Sequence, residues 1–489
     1  MTFKLLLDGM LVDGFDTLDI VNPATGQVFA TAPRANATHL DLAIAAANKA
    51  FTDWSARRYA DRGDHLRHFA DAVEARFDDL ARLLTQEQGK PLAEARHEIG
   101  ASIAALRHFA DQELGPRTLR ETPDEHIVEQ HYPLGVVAAI IPWNFPILLL
   151  TLKLAPALIT GNTVIAKPAP TTPLTTLLLG EIAADILPPG VFQTIVDDND
   201  LGVLLTGHPG IAYVSFTGST ATGRKVLSSA SQTLKRFNLE LGGNDVAIVL
   251  DDADIEVVAP AIFQSAMLNA GQICLATKRL YVPRTMIDAV CAALRKLADD
   301  AVVGDGLAEG TTIGPIQNEA QYVKILALIE QARTDGTIIA GDRAVASNGF
   351  FIAPTIVRDL DDDAPLVCAE QFGPVLPILA YDNIDEVVLR ANRSEYGLGG
   401  SIWTSDVTRG MAVAARIESG TVWVNKHLDL PFDVAFGGAK QSGIGRQNGV
   451  AGMEDFTQSR IINAAKPSRM VPDLTRNHSL AVFGAGRPQ

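Results

Sequence analysis

The sequence has few features that would link it to a disulfide framework, a polyanion or a lipid bilayer. Its 489 residues include only three cysteines, Cys274, Cys291 and Cys368, which are too few and too scattered for a disulfide framework or a zinc site. Positive charge is also scarce, because 41 Lys and Arg residues against 57 Asp and Glu residues give a net charge of −16. Without a long basic run, the chain is expected to bind neither nucleic acid nor an anionic membrane.

Long hydrophobic runs are missing as well. The most apolar stretch, residues 134–160, is interrupted by three prolines and by Lys153, so no uncharged run of about 18 residues predicts a membrane span. The N-terminal apolar run is followed by acidic residues and lacks a small-residue cleavage site, which is unlike a signal peptide. We therefore expect a cytoplasmic protein.

The chain does contain enough apolar sequence for large cores, since hydrophobic residues make up 47%. Short β-branched runs alternate with helix-length segments from Val136 onwards, and this alternation predicts parallel sheets covered by helices. The strands form two series, which predict two α/β domains that meet near Leu241-Gly242-Gly243. Helical patterns precede them over roughly 40–55, 59–85 and 91–114.

Cys274 is the cysteine that best fits a chemical role. Small, turn-prone residues precede it, so we expect it in an exposed loop. A free cysteine is more often a small core residue, and we assign Cys291 and Cys368 to that class. For Cys274, both a core residue and a nucleophile remain open.

Two other side chains have a chemical and a structural interpretation. Glu240 lies at the end of an apolar strand before two glycines, where desolvation would raise its pKa and suit a general base; alternatively it faces water. Asn144 lies between Pro142 and Pro146 on a stiff backbone, from which its amide would donate to an oxyanion. The alternative is a proline-rich turn.

A glycine-containing segment from Gly218 to Gly223 follows a strand and opens a helix. In this context, backbone N–H groups and a helix N-terminus receive a pyrophosphate. The spacing matches neither the standard dinucleotide fingerprint nor a P-loop, so the segment alone is a weak signal. Lys167 stands at another strand end, within reach of a ribose hydroxyl.

Together and in this order, seven segments resemble the NAD(P)-dependent aldehyde dehydrogenase superfamily, and the resemblance spans about residues 20–462. Within the superfamily, the chain is similar to a bacterial nonspecific branch. The segments are PWNFP (142–146), VIAKPA (164–169), FTGSTATGR (216–224), LELGGN (239–244), GQICLATKR (271–279), EQFGPV (370–375) and FGGAKQSGIGR (436–446).

The resemblance implies an α/β fold of several parts and a homodimer or homotetramer. The parts are a Rossmann-like cofactor domain (1–114 and 134–241), an α/β catalytic domain (242–441), a small β oligomerisation element (115–133 and 455–465) and a C-terminal extension (466–489). We expect the extension either to be mobile or to cover a neighbouring subunit.

The resemblance also implies that an aldehyde is oxidised to its carboxylic acid, with NAD as the expected cofactor and NADP as the alternative. Cys274 would form a thiohemiacetal and then a thioester, and Asn144 would stabilise the oxyanion. Glu240 would activate the hydrolytic water, sharing a proton path with Lys153. Cofactor positions are implied for Trp143, Lys167, Gly218, Ser219, Gly223, Glu370 and Phe372.

The implied aldehyde tunnel is apolar, which favours an aromatic or medium aliphatic aldehyde; no metal is implied. It is lined by Phe145, Leu149, Leu152 and Phe436, with Lys426 and His427 near enough to approach. Three positions depart from the family pattern. Pro170 replaces a glutamate that binds the adenine ribose, Gln447 replaces a proposed proton-relay glutamate, and Ala435 replaces a proline that would stiffen the tunnel loop.

Three other functions remain open: a semialdehyde dehydrogenase, a CoA-acylating dehydrogenase, and a non-catalytic binder on the same fold. A semialdehyde with an acidic end would favour an arginine in the tunnel, and none stands at the four tunnel positions. The CoA-acylating class usually lacks a base at the Glu240 position. Cys274, Glu240 and Asn144 are all present, which argues against a binder.

Overall fold

The computed structural model describes residues 2–341, 345 and 348–466. The chain begins with two short antiparallel β-hairpins and continues with four helices. The strands are β1 (Leu5–Leu7), β2 (Met10–Val12), β3 (Asp16–Asn22) and β4 (Gln27–Arg34), and the helices are α1 (Ala37–Ala56), α2 (Tyr59–Ala75), α3 (Phe77–Gln88) and α4 (Leu92–Ala110).

The single helical pattern expected over 59–85 is two helices, α2 and α3, which meet at Arg76. Arg76 leaves helical geometry with φ −108° and ψ 20°. Its guanidinium then donates to Asp79 in the first turn of α3 at 2.8 Å. An acidic first turn suits the positive end of the helix dipole, so α3 starts as a new helix.

The middle of the chain alternates strands and helices, as the sequence pattern predicts. Its elements are β5 (Arg117–Glu121), β6 (Glu125–Pro133), β7 (Val136–Ile140), α5 (Pro146–Ile159), β8 (Thr163–Lys167), α6 (Leu174–Ala184), β9 (Phe192–Thr194), α7 (Gly202–Gly207), β10 (Tyr213–Thr217), α8 (Thr220–Ala230) and β11 (Arg236–Glu240).

The remainder of the described chain continues this alternation. Its elements are β12 (Asp245–Val249), α9 (Ile255–Met267), β13 (Thr277–Pro283), α10 (Ile287–Asp300), α11 (Glu319–Asp335), β14 (Thr337–Ala340), β15 (Thr355–Arg358), α12 (Pro365–Cys368), β16 (Val375–Tyr381), α13 (Ile384–Asn392), β17 (Tyr396–Gly397), β18 (Gly399–Trp403), α14 (Val407–Ala414), β19 (Thr421–Val424), β20 (Ala439–Lys440), β21 (Gly443–Ile444), α15 (Gly449–Asp455) and β22 (Thr457–Ala465).

Two large sheets carry the architecture. The first has the order β21-β11-β10-β7-β8-β9, and the second β14-β15-β16-β13-β12-β18-β19. In each sheet only the first-named strand, β21 or β14, runs antiparallel to its neighbour. Buried strands such as β7, β8 and β12 are almost entirely Val, Ile and Ala, the composition expected when helices cover both faces of a parallel sheet.

The two sheets meet end to end. Strand β11 ends at Glu240 and β12 begins at Asp245, so four residues connect the carboxyl edge of the first sheet to the amino edge of the second. In the first sheet the strand order reverses between β7 and β10, and ligands of open α/β sheets bind at such a reversal, outside the carboxyl ends of the strands. We call this region the sheet junction.

A separate three-stranded antiparallel sheet, in the order β22-β6-β5, joins residues from the middle and the end of the described chain. It occupies the ranges expected for an oligomerisation element, whose role remains a prediction, as do the domain boundaries. No described helix is long and apolar enough to cross a membrane. The predicted extension lies outside the described residues, apart from Lys466.

Candidate active site

A cavity of about 180 Å³ lies at the sheet junction. It brings together seven of the residues singled out from the sequence, and they come from both sheets. Glu240, Lys153, Lys167 and Gly223 lie outside its lining. The lining residues are Pro142, Trp143, Asn144, Thr217, Gly218, Ser219, Leu241, Gly242, Cys274, Gln321, Lys324, Glu370 and Phe372.

Cys274 lies in a loop between α9 and β13, here called the cysteine loop (residues 272–276). The predicted loop is present, but Cys274 is only partly exposed in it. The chain turns sharply before it, with left-handed backbone at Asn269, Ala270 and Gly271. A Cβ on Gly271 would lie 2.2 Å from the Gly373 carbonyl oxygen, so glycine is required for this close approach.

Burial raises the pKa of Cys274 to about 12, and the charge of Lys278 opposes this rise. Lys278 is itself buried, and its ammonium group donates to the carbonyl oxygens of Ile273 and Cys274 at 2.7 Å each. Sequence reasoning missed Lys278, which stood inside a quoted motif without a role. A lysine at the start of a buried strand was the available signal.

Asn144 is buried on the other side of the cysteine loop, and its Nδ2 donates to the Gln272 carbonyl oxygen at 2.9 Å. Its own carbonyl oxygen accepts from Lys90 Nζ at 2.9 Å. Lys90 in turn forms a fully buried ion pair with Glu98 at 2.5 Å. The proline-bounded turn is therefore held by a buried cation, and its amide group adjoins the cysteine loop.

Glu98 also fixes the start of α5. One of its carboxylate oxygens accepts from the backbone N–H groups of Ile147 and Leu148 at 3.1 and 3.2 Å. Sequence reasoning missed Lys90 and Glu98, since their partners lie far along the chain. A buried carboxylate at a helix N-terminus satisfies donors that have no partner within the helix.

Glu240 ends β11 and is only 4% exposed. Neither of its carboxylate oxygens has a hydrogen-bond partner among the described residues. Burial raises the pKa of Glu240 to about 8, while the charges of Lys153 and Arg446 lower it. The carboxyl group is buried, as the sequence pattern predicts, and its role as a general base stays a prediction.

Lys153 lies fully buried on α5 and donates to Ser215 Oγ at 3.2 Å. Burial lowers the pKa of Lys153 to about 7, and the charge of Glu240 opposes this. An acid and an amine whose pKa values converge near neutrality exchange a proton at little cost.

The glycine-containing segment forms one wall of the cavity. Ser219 caps α8 by accepting from the Thr222 backbone N–H at 3.2 Å, and Thr217 Oγ1 is buried with no hydrogen-bond partner in the described chain. A Cβ on Gly223 would lie 2.5 Å from Leu241 Cδ2. Gly223 therefore allows close packing of α8 on the sheet rather than lining the cavity.

Glu370 and Phe372 close the cavity from the second sheet. Glu370 Oε1 accepts from the Gly243 backbone N–H at 3.0 Å, and burial raises the pKa of Glu370. A Cβ on Gly242 would lie 2.5 Å from Glu370 Oε2. Phe372 stacks edge-on against Trp143, with ring centroids 5.3 Å apart, so an aromatic pair borders the opening.

Lys167 lies outside this cavity. Its ammonium group is 2.5 Å from the Asp197 carboxylate, and both side chains are buried. Asp197 also accepts from the Leu201 backbone N–H at 2.8 Å. Sequence reasoning missed Asp197, which follows β9. Its side chain comes close to Lys167 only because β8 pairs with β9 in the folded sheet.

The predicted tunnel residues divide into two groups. Phe145 and Phe436 pack with Cys274 in a small apolar cluster, whereas Leu149 and Leu152 belong to the core of the first sheet. The cluster also contains residues that sequence reasoning did not name: Leu268, Ile273, Leu275, Ala276, Leu398, Trp423, Leu428 and Leu430.

Lys426 and His427 do not add charge to this cluster. The exposed Lys426 pairs with Asp429 at 2.5 Å, and His427 Nε2 lies 2.6 Å from the Leu275 carbonyl oxygen. Burial lowers the pKa of His427 to about 4. Near neutral pH the imidazole is therefore uncharged and donates this hydrogen bond.

The two remaining sequence expectations concern the other cysteines and the departures from the family pattern. Cys291 is buried as predicted, but Cys368 is exposed; it ends the short helix α12, and its thiol donates to the Asp362 carbonyl oxygen at 3.1 Å. Gln447 and Phe436 exchange two backbone hydrogen bonds of 2.7 Å, which anchor the loop that follows Ala435.

Comparison with known proteins defines the family. A family model described as the aldehyde dehydrogenase family matches residues 12–462. A phenylacetaldehyde dehydrogenase of Pseudomonas fluorescens is 39% identical, over 94% of this chain and 95% of that protein. A betaine aldehyde dehydrogenase of Rhizobium leguminosarum is 36% identical, over 93% and 96%.

A solved structure gives the same result. The NAD+ complex of an aldehyde dehydrogenase from Bacillus cereus superimposes with a TM-score of 0.92 at 34% identity, over 95% of this chain and 97% of that one. The chain therefore belongs to the aldehyde dehydrogenase family. It is an oxidoreductase that oxidises aldehydes.

Proposed function

We propose that this enzyme oxidises an apolar, aromatic or medium aliphatic aldehyde to its carboxylic acid through a covalent Cys274 intermediate, with NAD as cofactor. The observation that carries the proposal is one cavity at the sheet junction, where Cys274, Asn144 and Glu370 converge beside the buried Glu240.

The residues around the cavity fit a dinucleotide. The N-terminus of α8 directs backbone N–H groups towards a pyrophosphate, while the Gly218 N–H donates to the Glu240 carbonyl oxygen at 3.0 Å. Thr217 Oγ1 is a buried hydroxyl with no hydrogen-bond partner in the described chain. Trp143, Ser219, Glu370 and Phe372 would border the nicotinamide end, and Lys167 would serve the ribose. When bound, the nicotinamide supplies the hydride acceptor.

The chain's own residues would divide the remaining steps. The Cys274 thiolate attacks the aldehyde carbon, and Asn144 Nδ2 and the Cys274 backbone N–H stabilise the oxyanion that forms. After hydride loss the carbonyl carbon is held as a thioester. Glu240 then takes a proton from the water that attacks this thioester, and Lys153 provides a neighbouring site for that proton.

The Lys167–Asp197 ion pair bears on the choice between NAD and NADP. Pro170 leaves no carboxylate at its own position, but Asp197 already neutralises the Lys167 ammonium. A 2′-phosphate would therefore gain little from Lys167 and would face a buried negative charge, which favours NAD over NADP.

The apolar cluster beside Cys274 bears on the class of aldehyde that the enzyme accepts. Phe145, Trp423, Leu430 and Phe436 offer hydrophobic and aromatic surface, and sites lined by such side chains select apolar ligands. The names of two relatives, a phenylacetaldehyde and a betaine aldehyde dehydrogenase, span an aromatic and a cationic substrate. The aromatic and aliphatic side chains of the cluster favour the aromatic one.

The experiment is an aldehyde panel run with NAD and NADP on the wild-type enzyme and on Cys274→Ala, with Cys368→Ala as the matched cysteine control. We expect NADH formation from phenyl-substituted and medium aliphatic aldehydes, its loss in Cys274→Ala, and wild-type rates in Cys368→Ala. Nucleotide binding to Cys274→Ala, measured by calorimetry, should remain.

Several outcomes would contradict the proposal. A short aldehyde with a terminal carboxylate that exceeds the others about tenfold in kcat/KM would point to a semialdehyde dehydrogenase. A requirement for CoA, with an acyl-CoA product, would point to the acylating class. No NADH from any aldehyde would favour a non-catalytic binder.

We also propose that the protein is a homodimer or homotetramer assembled through the β22-β6-β5 sheet. Strand β22 lies at the edge of this sheet, and residues 459–465 of the strand are exposed. Such a long exposed edge presents unpaired backbone groups that another chain can satisfy.

A further inference from the structure

Lys278 places a buried ammonium group directly behind the cysteine loop. The residue is 2% exposed, and Nζ donates to the carbonyl oxygens of Ile273, Cys274 and Ala276 at 2.7, 2.7 and 3.4 Å. One cation thus binds three carbonyl groups within four consecutive residues, which fixes the backbone on both sides of Cys274.

The contact with Ile273 has a directional consequence. In a trans peptide unit the C=O of one residue and the N–H of the next point in opposite directions. Because the Ile273 carbonyl points to Lys278, the Cys274 N–H points away from Lys278. Asn144 Nδ2 donates to Gln272 O within the same loop. The Cys274 N–H in the loop and the Asn144 amide just before α5 therefore belong to residues that line the same cavity.

The titratable groups around Cys274 are mostly carboxyl groups. Glu370, Asp245 and Glu240 each raise the pKa of the thiol, and Lys278 is the cation that lowers it. The nearby His427, bonded to the Leu275 carbonyl, stays uncharged near neutral pH because burial lowers its pKa to about 4. Lys278 is therefore placed to offset the carboxylates of the two sheets.

We propose that Lys278 is a positioning residue of this enzyme: its ammonium group fixes the cysteine loop so that the Cys274 N–H faces the oxyanion, and its charge stabilises the Cys274 thiolate. This inference rests on the proposed role of Cys274 as the nucleophile. It assigns to Lys278 a function in the reaction, although Lys278 lies outside the cavity lining and binds the backbone of Cys274.

The experiment measures alkylation of the thiols by iodoacetamide across pH in the full-length enzyme, with each cysteine peptide followed by mass spectrometry. The variants are Lys278→Gln, which removes the charge but keeps a donor, and Lys278→Arg, which keeps the charge. Lys296→Gln removes an exposed charge on α10 as a matched control. The exposed Cys368 serves as an internal reference within every sample.

We expect Lys278→Gln to move the midpoint of Cys274 alkylation upward by about one pH unit or more, an approximately tenfold slower reaction at fixed pH. Lys278→Arg should retain most of the wild-type midpoint, Lys296→Gln all of it, and the Cys368 midpoint should not move. The kcat of Lys278→Gln should fall more than its KM rises, since oxyanion stabilisation acts in the transition state.

A folded Lys278→Gln enzyme with the wild-type Cys274 midpoint would overturn the proposal. If Lys278→Gln does not fold, a folded Lys278→Arg enzyme that keeps the wild-type midpoint supports the requirement for charge, and one whose midpoint shifts overturns it. These readings do not depend on the overall reaction, which Cys274→Ala tests separately.

Discussion

Single side chains set the acid–base chemistry at the sheet junction, and Glu240 is the clearest case. Its carboxyl group is protonated below a pKa of about 8 because burial penalises its charge. A general base acts only when deprotonated. Thioester hydrolysis should therefore accelerate as pH rises towards about 8 and level off above it.

Glu240→Gln should remove this pH dependence and slow thioester hydrolysis by about 10²–10⁴-fold, while the first turnover still releases NADH. Stopped-flow absorbance would separate the burst from the steady state. Glu309→Gln, which changes an exposed loop carboxylate, should behave as wild type. A steady-state rate unchanged in Glu240→Gln would exclude Glu240 as the base.

Asp197 allows a test of cofactor choice. In Asp197→Asn the Lys167 ammonium loses its buried counter-ion, so 2′-phospho-ADP-ribose should bind about tenfold more tightly relative to ADP-ribose than in the wild type. Calorimetry with both ligands measures this ratio. Asp198→Asn, at an exposed neighbouring carboxylate, is the control, and an unchanged ratio in Asp197→Asn would count against the argument.

The sequence predicted those residues whose environment is set by their neighbours along the chain. Glu240 is flanked by apolar strand residues and two glycines, so its desolvation followed from its neighbours. Lys278, Lys90 and Asp197 were missed because their roles depend on folded geometry. The three carbonyls around Lys278 converge only after the left-handed turn at Asn269 and Ala270. Asparagine adopts such backbone more readily than most other residues, but alanine does not predict it.

Among the elements, α4 and α5 are joined to the proline-bounded turn by the Lys90–Glu98 pair. Removing one member of a fully buried ion pair leaves an uncompensated charge. Lys90→Met should therefore lower the free energy of unfolding by about 3–5 kcal/mol, measured by urea denaturation, and should weaken catalysis as Asn144 loses its support.

The exposed pair between Arg96 on α4 and Asp78 on α3, at 2.7 Å, is the matched control. Arg96→Met should cost no more than about 1 kcal/mol, because both side chains remain in water. Equal losses in Lys90→Met and Arg96→Met would show that the buried pair does not hold the turn.

Element prediction worked best where periodicity was strong. The helical patterns over 40–55 and 91–114 correspond to α1 and α4, and the alternation from Val136 onwards corresponds to strands such as β7, β8, β10 and β12. The break at Arg76 carried no Gly or Pro to mark it, and strands β1 and β2, with three residues each, are too short for a pattern. Their pairing is a tertiary effect: β1 packs near β9, and Leu6 N donates to Thr194 Oγ1 at 2.9 Å.

At the scale of the whole molecule, the proposed assembly can be tested by measuring the mass of the particle in solution. Light scattering should give two or four times 52.2 kDa. Ile461 is 54% exposed on β22, and Ile461→Asp should shift the protein towards the monomer by placing a charge on the proposed interface. Leu389→Asp, at a 70% exposed residue of α13, is the control. A wild-type particle of 52.2 kDa would refute the assembly.

The pairing of β21 with β11 bears on how the enzyme is made. Glu240 stands opposite Gly443, and Leu241 N donates to Ser442 O at 2.9 Å, so the strand that carries Glu240 stays an open edge until β21 has been synthesised. During synthesis Glu240 leaves the ribosome long before its partner. A nascent chain released early therefore lacks both the ordered base and the covered edge, so incomplete products would be inactive and prone to association.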